Sequence, residues 1–126
     1  MNANLQAALK QLKENKVTAI DLSSNWIGVE GAKSISEALK TNKSLTSIHL
    51  SYNNIEAEGA KSIGEALKIN KSLTSINLSN NYIGVEGAKS IGEALERNKS
   101  IPSLLKNMLL LLMAVSESDP SVRFTK

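Results

Sequence analysis

LTSIHLSYNNIEAEGAKSIGEALKINKS, residues 45–72, is one of three consecutive versions of the same phrase. VTAIDLSSNWIGVEGAKSISEALKTNKS (17–44) precedes it and LTSINLSNNYIGVEGAKSIGEALERNKS (73–100) follows, with no gap between them. Val17, Leu45, Leu73 and Ile101 therefore share the first position of a 28-residue period. A fixed period of this size marks a solenoid, in which each unit buries its apolar side only against its neighbours.

Within each unit the hydrophobic spacing changes midway. LTSIHLS alternates, with Leu45, Ile48 and Leu50 inward, as a short strand requires. A turn around residues 52–54 follows. Ala60, Ile63, Ala66 and Leu67 then form a stripe that only a helix gathers onto one face. Glu56 and Glu58 suit the positive end of that helix, and Lys68 and Lys71 its negative end. Asn70, with Asn42 and Asn98 in the flanking copies, falls where a helix C-cap in the left-handed conformation is expected.

One unit cannot stand alone. Its inward groups each contribute roughly 1.5–3 kcal/mol when fully buried, against about 1–2 kcal/mol for ordering each residue. Burial is completed by the next unit, which sets the strands side by side in a parallel sheet with helices on the opposite face. Strand–helix–strand units of this kind wind right-handedly. Asn25, Asn53 and Asn81 hold one inward position between strand and turn, where an amide satisfies backbone groups that the bend leaves unpaired.

The pattern LxxLxLxxNxIGxxGAxxIxxALxxN resembles the leucine-rich repeat of the ribonuclease-inhibitor type, and it is nearly complete across 17–100. The resemblance implies an α/β fold, a short right-handed β-α superhelix with a parallel concave sheet and helices on the convex side. It also implies that Asn25, Asn53 and Asn81 form a ladder along the stack, and that the protein acts through contacts with other proteins.

The flanks depart from the pattern. Residues 1–16 carry Leu5, Ala8, Leu9 and Leu12 on one helical stripe, and Leu12, Asn15 and Lys16 align with Leu39, Asn42 and Lys43. They read as an N-terminal capping helix or as the helical half of a preceding repeat. Residues 101–126 begin in register, but Lys106 and Leu109 stand where leucine and asparagine belong. The apolar run at 104–115 is expected to seal the stack as a helix; alternatively Leu105, Met108, Leu109 and Leu112 contact a second copy.

Composition narrows the function classes. There is no cysteine, hence no disulfide framework and no thiolate metal site. The longest apolar run is far short of the roughly 20 residues of a spanning helix. A cytoplasmic protein is the expectation, with no membrane partner, no metal and no cofactor. Net charge is +3, and Lys33, Lys61 and Lys89 alternate with columns of glutamate. That layout, with one Trp, two Tyr and one Phe, is a poor footprint for nucleic acid.

Comparison of the repeats with one another locates a candidate surface. Inward positions hardly change, whereas position five reads Asp21, His49, Asn77; position eight Ser24, Tyr52, Asn80; position ten Trp26, Asn54, Tyr82. The variation lies on the strand and the turn leaving it. Asp21, Trp26, His49, Tyr52, Asn77, Asn80 and Tyr82 are therefore the candidate partner-binding residues of the concave face and rim. The concave face alone offers roughly 250–300 Å², below the roughly 800 Å² per side of a stable complex.

Asp21 and His49, on neighbouring strands with Ser47, Ser51 and Ser75 nearby, invite comparison with a catalytic triad. An open sheet supplies no obvious oxyanion donors, so a solvated polar cluster is expected and no catalytic residue is assigned. The segment from Gly28 to Ser34 lacks phosphate-loop spacing and recurs as part of the repeat. The first glycine becomes Glu56 in the middle copy while Gly59 is kept, which implies a tolerant first position and a stricter second. The expectation is a non-enzymatic module that binds a protein partner. Self-assembly through the ends is the alternative, and a GTPase-activating role a minor one.

Overall fold

The structure is a computed structural model that describes residues 2–102. Ala19–Asp21 (β1), Ser47–His49 (β2) and Ser75–Asn77 (β3) form a parallel sheet in the order β1-β2-β3. Its register is the repeat itself: Ile20 faces Ile48, which faces Ile76, and Asp21, His49 and Asn77 form the next row. Helices Ala3–Glu14 (α1), Gly28–Thr41 (α2), Glu56–Ile69 (α3) and Gly84–Arg97 (α4) each pack against the next, giving the α/β solenoid that the period predicts.

A single continuous core runs through the stack. In the middle repeat, Leu45, Ile48, Leu50, Ile55, Ile63 and Leu67 are at most 1% exposed, whereas Ile20 and Ile27 of the first reach 8% and 6%. Burial is thus completed by a neighbour on each side.

Two glycine positions behave differently, as the middle copy suggests. Gly28, Glu56 and Gly84 all have positive φ, of 68°, 63° and 69°. Gly31, Gly59 and Gly87 have no room for a side chain: an added Cβ would lie 2.6, 2.5 and 2.9 Å from Ile27, Ile55 and Ile83.

The asparagine ladder is present. Asn53 is 1% and Asn81 0% exposed. Asn53 Oδ1 accepts the N–H groups of Asn25 and Ile27 at 2.8 and 3.2 Å. Its Nδ2 donates to the carbonyls of Leu22, Leu50 and Ser51. Helices α2 and α3 have no side-chain cap of their own. The next repeat's asparagine completes them instead, Gly28 N–H donating to Asn53 O and Glu56 N–H to Asn81 O. At the exposed border, α1 supplies the missing partners: Asn2 donates to Asn25 O, and Asn4 Nδ2 to Asn25 Oδ1 at 2.8 Å.

The expectation for Asn42, Asn70 and Asn98 is corrected. Their backbones are extended (φ near −70°, ψ 138°, 133° and 132°), not left-handed. Each is a buried bridge. Asn70 Nδ2 donates to Leu39 O and Asn42 O, while its Oδ1 accepts Ser72 and Leu73 N–H. Asn98 repeats this with Leu67 O and Asn70 O, and Asn42 donates to Leu12 O. These bonds need the neighbouring repeat's carbonyls, so the backbone turns to aim the amide across the stack. Of the asparagines that close the four described helices, Asn15 after α1 is the left-handed one (φ 57°). Leu12 serves Asn42 as Leu39 serves Asn70, so α1 sits where the helix of a preceding repeat would. Leu105, Met108, Leu109 and Leu112 lie outside the described residues.

Candidate functional site

On the sheet surface, Asp21, His49 and Asn77 stand in one row, as the register dictates. Asp21 Oδ1 accepts the N–H and Oγ–H of Ser23 at 3.0 and 2.7 Å, and Asn77 Oδ1 does the same with Ser79. The Ser23 bonds, with a smaller effect of the same sign from His49, hold the Asp21 carboxyl below the usual carboxylate range. His49 Nδ1 is 3.8 Å from Asp21 Oδ1, and its Nε2 is 2.7 Å from Ser51 Oγ.

Those three groups stand in triad order, with a looser contact between Asp21 and the ring than a base and its orienting group make. The Asp21 oxygen is occupied by Ser23 and stands beyond hydrogen-bond reach of the ring. Ser51 is buried at 5% exposure. The adjacent Tyr52 N–H is bonded to Ser79 O rather than free to steady an oxyanion. Among the described residues no cluster has the composition to hold a metal ion. No helix there is long and apolar enough to cross a membrane.

Beyond the strands the backbone takes an unusual course. Positions eight, ten and twelve of every repeat have positive φ: Ser24, Trp26 and Gly28; Tyr52, Asn54 and Glu56; Asn80, Tyr82 and Gly84. Residue eleven between them is right-handed at Ile27, Ile55 and Ile83, so its side chain drops into the core while its neighbours point out. The N–H groups of positions six, eight and twelve extend the ladder into this turn, Ser24 donating to Ser51 O and Tyr52 to Ser79 O.

The outward side chains of this turn surround a groove of about 640 Å³, lined by Ser24, Trp26, Tyr52, Asn53, Asn54, Asn80 and Tyr82. Four of the candidate residues, Trp26, Tyr52, Asn80 and Tyr82, meet there; Asp21, His49 and Asn77 stand apart on the sheet. Ser24 and Asn54, absent from the candidate set, also line it, and their membership of the variable columns is the signal that identifies them. Trp26, Tyr52 and Tyr82 are 83%, 63% and 49% exposed. They occupy left-handed positions where a bulky residue is unfavourable. Asn54 and Asn80 fill the same positions in other copies, so the fold does not require an aromatic at either one.

On the helical face Lys33 is 3.2 Å from Glu58 and 3.7 Å from Glu30. Glu58 first, then Glu30, raises its pKa.

A family model described as Leucine Rich repeat matches residues 13–36, 41–64 and 70–92, more than half of the chain. No curated protein matches it. Among solved structures, the leiomodin-1 actin-binding site 2 (ABS2) is 28% identical, with a TM-score of 0.73, over 80% of this chain. The chain spans 60% of the length of that structure. The tropomodulin C-terminal domain of Caenorhabditis elegans is 17% identical, with a TM-score of 0.71, over 97% of this chain and 84% of that one, a likeness of fold alone.

Proposed function

The chain belongs to the leucine-rich repeat family, and we propose that it is a non-enzymatic binding module that takes a protein partner on the aromatic rim, with the concave row beside it. The observation that carries this reading is the set of Trp26, Tyr52 and Tyr82, exposed and in left-handed backbone. Each side chain is unfavourable where it stands, and a cheaper residue occupies the equivalent position elsewhere in the stack. Backbone strain retained at exposed positions is a feature of binding sites. Aromatics of this kind dominate interface energetics because they bring large contact area at low entropic cost.

Size supports the rim. The exposed parts of the three rings add on the order of 400 Å² to the roughly 250–300 Å² of the concave face. Together they approach the roughly 800 Å² a stable partner takes.

The similar leiomodin-1 domain is named as an actin-binding site, which makes actin the first partner to assay. Trp26 is the one tryptophan of the chain, so its fluorescence reports directly on cover at this rim. Binding is expected to blue-shift that emission. The triple variant W26N/Y52N/Y82N, followed by anisotropy, should bind about tenfold or more weakly. A partner held as tightly by the triple variant, or one that leaves the emission of Trp26 unmoved, overturns the rim assignment.

A further inference from the structure

The opposite rim, where each helix returns the chain to the next strand, carries a row of cations. Lys16, Lys43, Lys71 and Lys99 each follow the asparagine that closes a helix, and all four are exposed. Those asparagines fix the row. Lys43 N–H donates to Asn15 Oδ1 at 2.7 Å, Asn70 Nδ2 to Asn42 O at 3.2 Å, and Asn98 Nδ2 to Asn70 O at 3.1 Å. The lysines therefore recur at a set pitch, between the about 4.8 Å of paired strands and the about 8–10 Å of packed helices.

Lys40, Lys68 and Arg97 stand in the last helical turns behind them. Glu37 and Glu65 engage Lys40 and Lys68, at 3.0 and 3.4 Å. Among the described residues the lysine row makes no ion pair, and Glu14 and Glu96 are the acids of the rim itself. A helix C-terminus carries about half a negative charge, which offsets only part of the full charge on the lysine just past it. The row beyond it is surplus positive charge. Lys61 and Lys89, by contrast, lie one helical turn from Glu58 and Glu65, and from Glu86 and Glu93.

Shallow grooves of about 500 and 560 Å³ run between successive lysines. Ile69, 50% exposed, lies in the first with Lys43 and Lys71. We infer that this rim is a second docking surface, for an extended acidic peptide laid across the repeats, with carboxylates on Lys43, Lys71 and Lys99 and one apolar side chain on Ile69. Side chains on one face of an extended chain recur at about 6.6–6.8 Å, within the pitch of the row. Ile69 favours a peptide over a bare polyphosphate, and one half-exposed isoleucine is too little apolar surface to hold a membrane.

The test uses a labelled peptide of alternating glutamate and serine with a central leucine, followed by anisotropy on the full chain. Binding is expected at low salt and should weaken as salt rises. K43Q/K71Q/K99Q should weaken it about tenfold. K10Q/K61Q/K89Q, with the same change in net charge, should weaken it by less than about threefold. Ile69→Thr, which copies Thr41 of the first repeat, should weaken it about threefold. Thermal melting of both triple variants should match the parent, since these side chains are exposed. No binding by the parent chain, equal losses in the two triples, or tighter binding to anionic vesicles or a single-stranded oligonucleotide than to the peptide overturns the assignment.

Discussion

The amide oxygen of Asn81 accepts the backbone N–H of Asn53 at 2.8 Å and that of Ile55 at 3.3 Å. One side chain thus serves two donors of the preceding repeat that no strand or helix of their own satisfies. Asn53 does the same for Asn25 and Ile27. Replacing it by alanine strands both donors, that of Ile27 in the core and that of Asn25 at its edge. At about 1–3 kcal/mol for each unsatisfied buried group, Asn53→Ala should lose about 3–5 kcal/mol in urea unfolding. Asn25→Ala should lose about 1 kcal/mol or less, because its Oδ1 meets only Asn4 at the exposed border. Equal losses would show that the ladder does not act through burial.

Glu56 and Gly59 should respond in opposite directions. Glu56 holds a φ of 63° that glycine occupies at 28 and 84. A left-handed non-glycine costs about 1–2 kcal/mol, offset in part by the extra freedom of glycine in the unfolded chain, about 0.4–1 kcal/mol. Glu56→Gly should therefore gain about 0.5–1 kcal/mol. Gly59→Ala would place a Cβ 2.5 Å from Ile55 Cγ2 and 3.1 Å from Ala32 Cβ. It should lose about 1–3 kcal/mol, measured by the same denaturant midpoint.

Part of this was readable in the chain and part was not, for a physical reason. The repeat, its inward leucines and isoleucines, and the Asn25–Asn53–Asn81 column follow from spacing, because every inward residue recurs at one position. The second column departs from its expectation. An asparagine one residue past a helix fits the local rule for a left-handed cap, and nothing local reveals that Asn70 reaches Leu39 O, 31 positions back. The alternating left-handed rim was equally hidden. Gly28 and Gly84 hint at it, but Trp26, Tyr52 and Glu56 are residue types that ordinarily avoid that conformation. Asp21 and His49 meet as the strand register implies, while the groove depends on which way the turn throws the side chains of positions eight and ten.

Substituting the rim aromatics should leave the protein intact or firmer. Trp26→Asn, Tyr52→Asn and Tyr82→Asn each place at a left-handed site a residue that tolerates it. Each should raise stability by about 0.5 kcal/mol, read from thermal melting. A loss above about 1 kcal/mol would mean that the ring in question supports the fold.

The acid limb of the stability curve should contain a contribution from Asp21. Its carboxyl is held below the usual range chiefly by Ser23. A depressed folded-state value stabilises fully above the unfolded pKa, and the effect disappears as pH falls through the folded one. Ser23→Ala should move the Asp21 titration, followed by carboxyl NMR shifts, back toward the ordinary range. His49→Ala should move it less. At the alkaline end, Lys33 titrates above the ordinary lysine value through Glu58. Its contribution is present below the unfolded value and lost as pH rises through the folded one, so Glu58→Gln should remove the larger part and leave the smaller share of Glu30.

The paired columns of asparagine sew this ribbon along both long borders. A sheet hemmed on one side can fan like a hand of cards; hemmed on both, it keeps one arc. Each 28-residue panel ends its bonds on the next, so the reach of such a ribbon changes by whole panels.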